Sequence, residues 1–230
     1  MNRTVRRIRS PWRRHSLPSL VRLVFKNIAY QLSRKRRNAQ DESFDVAYGT
    51  DTSAIREVGS LDFAFPNAFH AFRYQPSSDA LVRNAIARLE IEAAEFSFID
   101  FGSGKGRVLR VAAEYPFKQV IGVELSSELN EIAKQNIARL PSDRKQAGDI
   151  WTLCCDAAEF DPPAGDLVCY FYNPFDAAVV RPIADKLAAR AVAGYRTIII
   201  YIDPRYRELF EQTGAFKIVY DESPLLVLST

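Results

Sequence analysis

The sequence predicts an α/β fold: a seven-stranded, mostly parallel sheet with helices on both faces, closed by a C-terminal antiparallel hairpin and preceded by a basic helical arm. Three observations predict it. From Phe96 onward the hydrophobic period switches repeatedly between short apolar runs and helical stripes, the alternation that a helix-covered parallel sheet requires. The last two apolar runs are separated only by Glu222, Ser223 and Pro224, too short a link for a parallel crossover, so that pair must be a hairpin. Charge is partitioned along the chain: residues 1–40 hold 12 Lys and Arg and no Asp or Glu, which leaves the rest at −9.

The 230 residues, 47% hydrophobic and 26% charged, suffice for one sizeable core and exclude a chain disordered throughout. The longest run free of Asp, Glu, Lys and Arg is Phe63 to Phe72, ten residues including His70 and about half of a bilayer-spanning helix. Three cysteines, Cys154, Cys155 and Cys169, and two histidines, His15 and His70, offer neither an even disulfide framework nor zinc-site spacing. These features point to a reducing, cytoplasmic compartment and to chemistry without a metal.

Taken in order, the chain opens with an arm, residues 1–40. From Pro18 onward Leu20, Val21, Val24, Ile28 and Leu32 fall near one helical face, and the run ends in Arg34, Lys35, Arg36 and Arg37. Such a basic amphipathic helix suits an anionic membrane surface or a nucleic-acid backbone. It could equally dock on the protein's own body, and its acid-free composition also fits an organellar targeting peptide. Residues 41–71 are polar with isolated apolar positions and read as a linker or loosely packed lead-in to a domain over 72–230. That domain starts with a helix over Ser77 to Glu92, buried through Leu81, Val82, Ala85, Ile86 and Leu89. Strands follow at Phe96–Phe101, Gln119–Leu125, Trp151–Asp156, Leu167–Tyr172, Arg196–Ile202, Phe216–Asp221 and Leu225–Leu228. The intervening helices are Gly106–Tyr115, Ser127–Leu140, Ala177–Ala193 and Pro204–Gln212, the second capped by Ser126 or Ser127.

The first strand runs into Asp100-Phe-Gly-Ser-Gly-Lys-Gly-Arg107, whose three alternate glycines allow a sharp turn and a close approach to a ligand. Glycine loops also serve as plain tight turns. Glu124 closes the second strand and Asp156 the third, so carboxylates converge on one crevice; an acid at the position of Glu124 can accept both hydroxyls of a ribose. A dinucleotide fingerprint would place its third glycine at position 107, where Arg107 stands, and three carboxylates would repel a pyrophosphate. Both points argue against a nicotinamide-dependent oxidoreductase. A cationic nucleoside fits better, and S-adenosylmethionine combines a sulfonium, an amine and a ribose diol.

The segments DFGSGKGR, VIGVELS, CCDAAEF and YFYNPF, in this order on successive strands, resemble the motifs of the class I, seven-stranded, Rossmann-like S-adenosylmethionine-dependent methyltransferases over Phe72 to Thr230. The resemblance implies strand order 3-2-1-4-5-7-6. It implies that Gly102, Ser103, Gly104 and Gly106 shape the methionine end, Asp100 helps to hold the amine, Glu124 binds the ribose, and Asp156 with the Ala157 amide faces the adenine.

The fourth strand ends in Asn173-Pro174-Phe175, beside the expected position of the transferable methyl. An Asn oxygen and a backbone carbonyl can accept the hydrogens of an amine and align its lone pair, while Phe175 covers the substrate. The segment is similar to the Asn-Pro-Pro-aromatic motif of adenine and glutamine N-methyltransferases but lacks the second proline. It is closer to the Dot1-type lysine methyltransferases, whose upstream Tyr-x-Pro is echoed by Tyr74-Gln75-Pro76-Ser77; this implies that Tyr74 and Ser77 close over the cofactor. The plainer readings are that Asn173 is a turn residue before proline and Tyr74 a core aromatic. Tyr170, Tyr172 and the vicinal cysteines read as packing residues, and His70 as a base or a packed histidine. The expectation is a protein lysine N-methyltransferase, with RNA or small-molecule methylation, or a non-catalytic nucleoside-binding adaptor, as the other readings.

Overall fold

The computed structural model describes residues 35, 36, 38–54, 56 and 74–230. The chain divides into two units, 1–40 and 41–230. In the first, residues 35, 36 and 38–40 are helical; the arm helix expected from Pro18 to Leu32 lies outside the described residues, as does His70 with its aromatic segment.

The second unit carries helix α1, residues 41–48, then α2 (Asp79–Ala87), β1 (Phe96–Phe101), α3 (Arg107–Ala112), β2 (Gln119–Glu124) and α4 (Ser127–Ala138). After these come β3 (Asp149–Cys154), β4 (Asp166–Tyr172), α5 (Ala177–Val192), β5 (Thr197–Ile202), α6 (Arg207–Glu211), β6 (Lys217–Glu222) and β7 (Leu225–Ser229). One seven-stranded sheet has the order β3-β2-β1-β4-β5-β7-β6. The first five strands pair in parallel and the last two antiparallel, as the short Glu222–Pro224 link demands.

Strand periodicity divides the core into two layers. Phe96 and Phe98 of β1, Val168 and Tyr170 of β4 and Ile198 and Ile200 of β5 face one way, packing with Val82, Ala85 and Ile86 of α2 and Val108 and Leu109 of α3. Ile99, Phe101, Cys169, Phe171, Ile199 and Tyr201 face the other way, onto Val179, Val180, Ile183 and Leu187 of α5 and Phe210 of α6. Connections run outward from β1 toward β3 and from β4 toward β6, so a crevice opens where the order reverses, beyond the carboxyl ends of β1 and β4.

As in the sequence reading, the connection from β3 to β4 carries no helix, and Trp151 and Leu153 on the edge strand stay partly exposed. Two features differ. Strand β3 is offset by two residues because its ladder with β2 begins at Asp149 opposite Gln119, which leaves Asp156 in the turn after the strand. The stretch read as a loose lead-in instead contains α1 and an ordered loop, with Phe44 and Thr52 buried. Among the described residues no helix is long and apolar enough to cross a membrane.

Candidate active site

Strand β1 delivers Asp100, and the chain then turns through Gly102, Gly104 and Gly106, all with positive φ, into α3. The two upstream glycines leave room for protein side chains as much as for a ligand. A Cβ on Gly102 would sit 2.3 Å from Pro174 Cβ, and one on Gly104 would sit 2.2 Å from the Tyr74 ring. Four of the loop's amides are also engaged internally. Gly102 and Ser103 donate to the Val123 carbonyl at 2.8 and 3.0 Å, Gly106 donates to Ser103 O, and Gly104 donates to Glu124 Oε2 at 2.7 Å.

Glu124 closes β2 and is held from both sides, because Ser126 N donates to its Oε1 at 2.8 Å while Ser126 Oγ caps α4 by accepting Leu129 N. Burial pushes its carboxyl up and the backbone donors at Ser126, Gly104 and Leu125 oppose that push. Asp100 is 3% exposed and accepts no hydrogen bond from the described residues. Burial first, and then the charge of Glu124, raises its carboxyl well above the ordinary range. Two adjoining buried carboxylates, one of them without a partner, favour a cation or several hydroxyl donors. Ser103 Oγ beside them is buried with no partner among the described residues.

One pocket brings together Tyr74, Ser77, Asp100, Gly102, Ser103, Glu124 and the Asn173-Pro174-Phe175 turn. Its wall also includes Arg107, Tyr170 and Tyr172, which the sequence reading did not assign to the site. Tyr170 OH donates to Ser77 Oγ at 3.0 Å, and burial drives the phenols of both Tyr74 and Tyr170 far up, so both stay neutral donors. Gly104 and Gly106 support this wall from behind: Gly104 through its bond to Glu124, Gly106 as the N-cap of α3. Asp156 and Ala157 are buried but do not line the pocket. Asp156 Oδ1 accepts Ala158 N at 2.9 Å and shapes the turn after β3.

Asn173 has φ +41, a conformation that asparagine tolerates better than most residues. Its Nδ2 donates to Asp203 O and its Oδ1 accepts Arg205 N at 3.4 Å, so the side chain brackets the loops that follow β4 and β5. Phe175 is buried behind it.

The family model of histone methylation protein DOT1 matches residues 63–149, from before Tyr74 through β2 and α4 to the start of β3. No curated protein matches the chain. Among solved structures, ribosomal protein L11 methylase from Lactobacillus delbrueckii subsp. bulgaricus is 17% identical, covering 65% of this chain and 75% of its own, with a TM-score of 0.45. Magnesium protoporphyrin IX methyltransferase from Synechocystis PCC 6803, solved with bound S-adenosylmethionine, is 16% identical over 66% of this chain and 76% of its own, with a TM-score of 0.47. Over residues 63–149 the chain is similar to the DOT1 family, and its sheet has the order β3-β2-β1-β4-β5-β7-β6 that the resemblance to the class I, seven-stranded methyltransferases implies.

Proposed function

We propose that this protein binds S-adenosylmethionine in the pocket between the glycine loop and the Asn173-Pro174-Phe175 turn, and transfers its methyl to the side-chain nitrogen of a protein lysine. The observation that carries the cofactor is the pair of buried carboxylates, Asp100 without a hydrogen-bond partner among the described residues and Glu124 held by two amides. Each fits a different part of the molecule. Asp100 would hold the cationic amine. Each oxygen of Glu124 keeps a lone pair beyond its backbone bond, so the carboxylate can accept two ribose hydroxyls. The unpartnered Ser103 hydroxyl would meet a polar atom of the methionine end, a task the internally bonded loop amides cannot perform. Asp156 and Ala157 would border the adenine from the turn after β3.

The cofactor supplies the methyl and a good leaving group. In such a transfer the nitrogen lone pair would form the new N–C bond as the S–CH₃ bond breaks, leaving a neutral thioether, once the lysine ammonium has lost one proton to water. The chain's own contribution is positioning and exclusion of water. Pro174 is seated on Gly102, Phe175 is buried behind it, and the Asn173 amide fixes the turn against the β5 loop. The charge of −9 outside the arm supports a cationic acceptor over a polyphosphate one. The DOT1 match over 63–149 supports the same choice.

One observation favours a second acceptor class: the +12 arm, which we propose contacts an anionic surface, would also hold RNA. Incubation with methyl-labelled S-adenosylmethionine and cell extract separates the readings. Label in protein, recovered as methyl-lysine after hydrolysis, is the expected outcome. Label confined to nucleic acid or small molecules refutes the lysine reading.

A further inference from the structure

The glycine loop contains two cations that the cofactor reading does not use, Lys105 and Arg107, with side chains 0% and 2% exposed. A buried cation needs an anionic partner, and in both cases that partner comes from the segment around α1, more than fifty residues earlier. Lys105 Nζ lies 2.7 Å from Asp51 Oδ1. Arg107 Nη1 pairs with Asp41 Oδ1, its Nη2 donates to Asp41 O at 3.2 Å and its Nε donates to Thr52 Oγ1 at 2.7 Å. The segment is itself stiffened by Asp45, whose carboxylate accepts from the backbone of Thr52 and Ser53 and the hydroxyls of Thr50 and Thr52. Asn136 of α4 adds a two-way bond, accepting Asp51 N and donating to both Asp51 O and Lys105 O.

The same anchors reach the pocket wall. Tyr74 OH donates to Thr52 O at 2.8 Å, Tyr74 and Arg56 exchange backbone bonds, and the Tyr74 ring fills the space beside Gly104 under Lys105 Nζ. Arg107 Nη1 also reaches Ser77 O at 3.5 Å. We infer that residues 41–54 form a clasp, in which Asp41, Asp51 and Thr52 act through Lys105 and Arg107 as positioning residues that hold the Tyr74–Ser77 wall against the cofactor loop. This inference rests on the cofactor reading above and adds to it the residues that set the width of the pocket. None of the three touches the pocket, so their effect is on how well the cofactor is gripped.

The test is Asp51→Asn in the full chain. Its isosteric side chain is more than half exposed, so the change removes the anionic partner of Lys105 with little loss of packing. S-adenosylhomocysteine should bind about tenfold more weakly, within the range typical of coupled sites. The KM for S-adenosylmethionine should rise by more than kcat falls, and Asp51→Glu should recover most of the affinity. A merely structural residue would lower the melting temperature without that split or that rescue. If Asp51→Asn does not fold, the double variant Asp51→Asn with Lys105→Gln leaves no unpaired buried cation and should show the same loss of affinity. Wild-type affinity in a folded variant overturns the clasp. If the wild type itself fails to bind S-adenosylhomocysteine, the cofactor reading falls, and hydrogen exchange then judges the clasp. Faster exchange of the Tyr74 and Gly104 amides in Asp51→Asn upholds it, and unchanged exchange overturns it.

Discussion

Glu124→Gln tests whether the glycine loop and the ribose share one carboxylate. In the native site Oε2 accepts Gly104 N at 2.7 Å and Oε1 accepts Ser126 N at 2.8 Å, so both oxygens are already committed to backbone. A glutamine amide has the same shape but only one acceptor oxygen, and its NH₂ must face one of those two N–H groups. Leaving one buried donor unpaired costs about 1–3 kcal/mol of stability. For a domain of this size that lowers Tm by roughly 2–4 °C per kcal/mol. Ligand affinity suffers separately, because hydrogen bonds to a charged acceptor contribute about 1.5–3 kcal/mol and the amide forfeits that increment for a ribose hydroxyl. The expected result is a rise of roughly 10–150-fold in the Kd for S-adenosylhomocysteine. Titration calorimetry reads the Kd and a thermal melt on the same sample reads the stability. A folded variant that binds with wild-type affinity would show that Glu124 braces the loop and nothing more, and would falsify its ribose role.

Four further outcomes follow from the same geometry. Gly104→Ala places a Cβ 2.2 Å from the Tyr74 ring at φ +52, so the ring must leave the pocket wall; binding of S-adenosylhomocysteine should be lost, and retention would show that Tyr74 does not shape the site. Asn173→Ala removes the bracket to Asp203 O and should lower turnover by about a hundredfold while leaving cofactor affinity nearly unchanged; full turnover would reduce Asn173 to a turn residue. Asp100 titrates above the ordinary carboxylate range through burial and the charge of Glu124. The ligand-free fold therefore gains stability as pH falls through that raised pKa, while a cationic ligand tightens as pH rises through it and expels a proton. Calorimetry in buffers of different ionisation heat should record that proton in the wild type and not in Asp100→Asn. Asp45 behaves oppositely, since its hydrogen bonds outweigh the upward push of burial. Its contribution is present above the ordinary aspartate value of 3.8 and lost as pH falls from there through the lowered one, so Asp45→Asn should flatten the acid side of the stability profile.

The sheet was legible because strands buried on both faces read as continuous apolar runs, and β1 and β5 are buried at every position. Strand ends were legible to within two residues, and the error at β3 followed from treating the apolar run as the strand when its ladder with Gln119 starts earlier, at Asp149. The cluster of Asp100, Glu124 and the Asn173 turn was legible for a topological reason: residues at the carboxyl ends of neighbouring parallel strands meet whatever their separation in sequence. Asp156 looked equivalent and is not on the wall, because it stands two residues beyond the end of its strand.

The clasp was not legible from local pattern. Asp41, Asp45, Asp51 and Thr52 stand in a polar stretch with no sustained period, and a period is what separates a packed element from a linker in a single sequence. Their partners are 54 and 66 residues away for Lys105 and Arg107, beyond the reach of any window. One signal was nevertheless present. Lys105 and Arg107 interrupt the turn between an apolar strand and an apolar helix start, where a covered backbone leaves little water for a cation. Two basic residues at such a junction require acids from elsewhere. An acid-bearing stretch directly after an arm with no Asp or Glu is then a source of counter-charges, and its lack of period reflects attachment through ion pairs and caps around a single small apolar contact, Phe44 with Tyr48. Arg107 stands where a dinucleotide fingerprint has its third glycine, and its guanidinium joins Asp41 and Thr52 to the Ser77 carbonyl of the pocket wall.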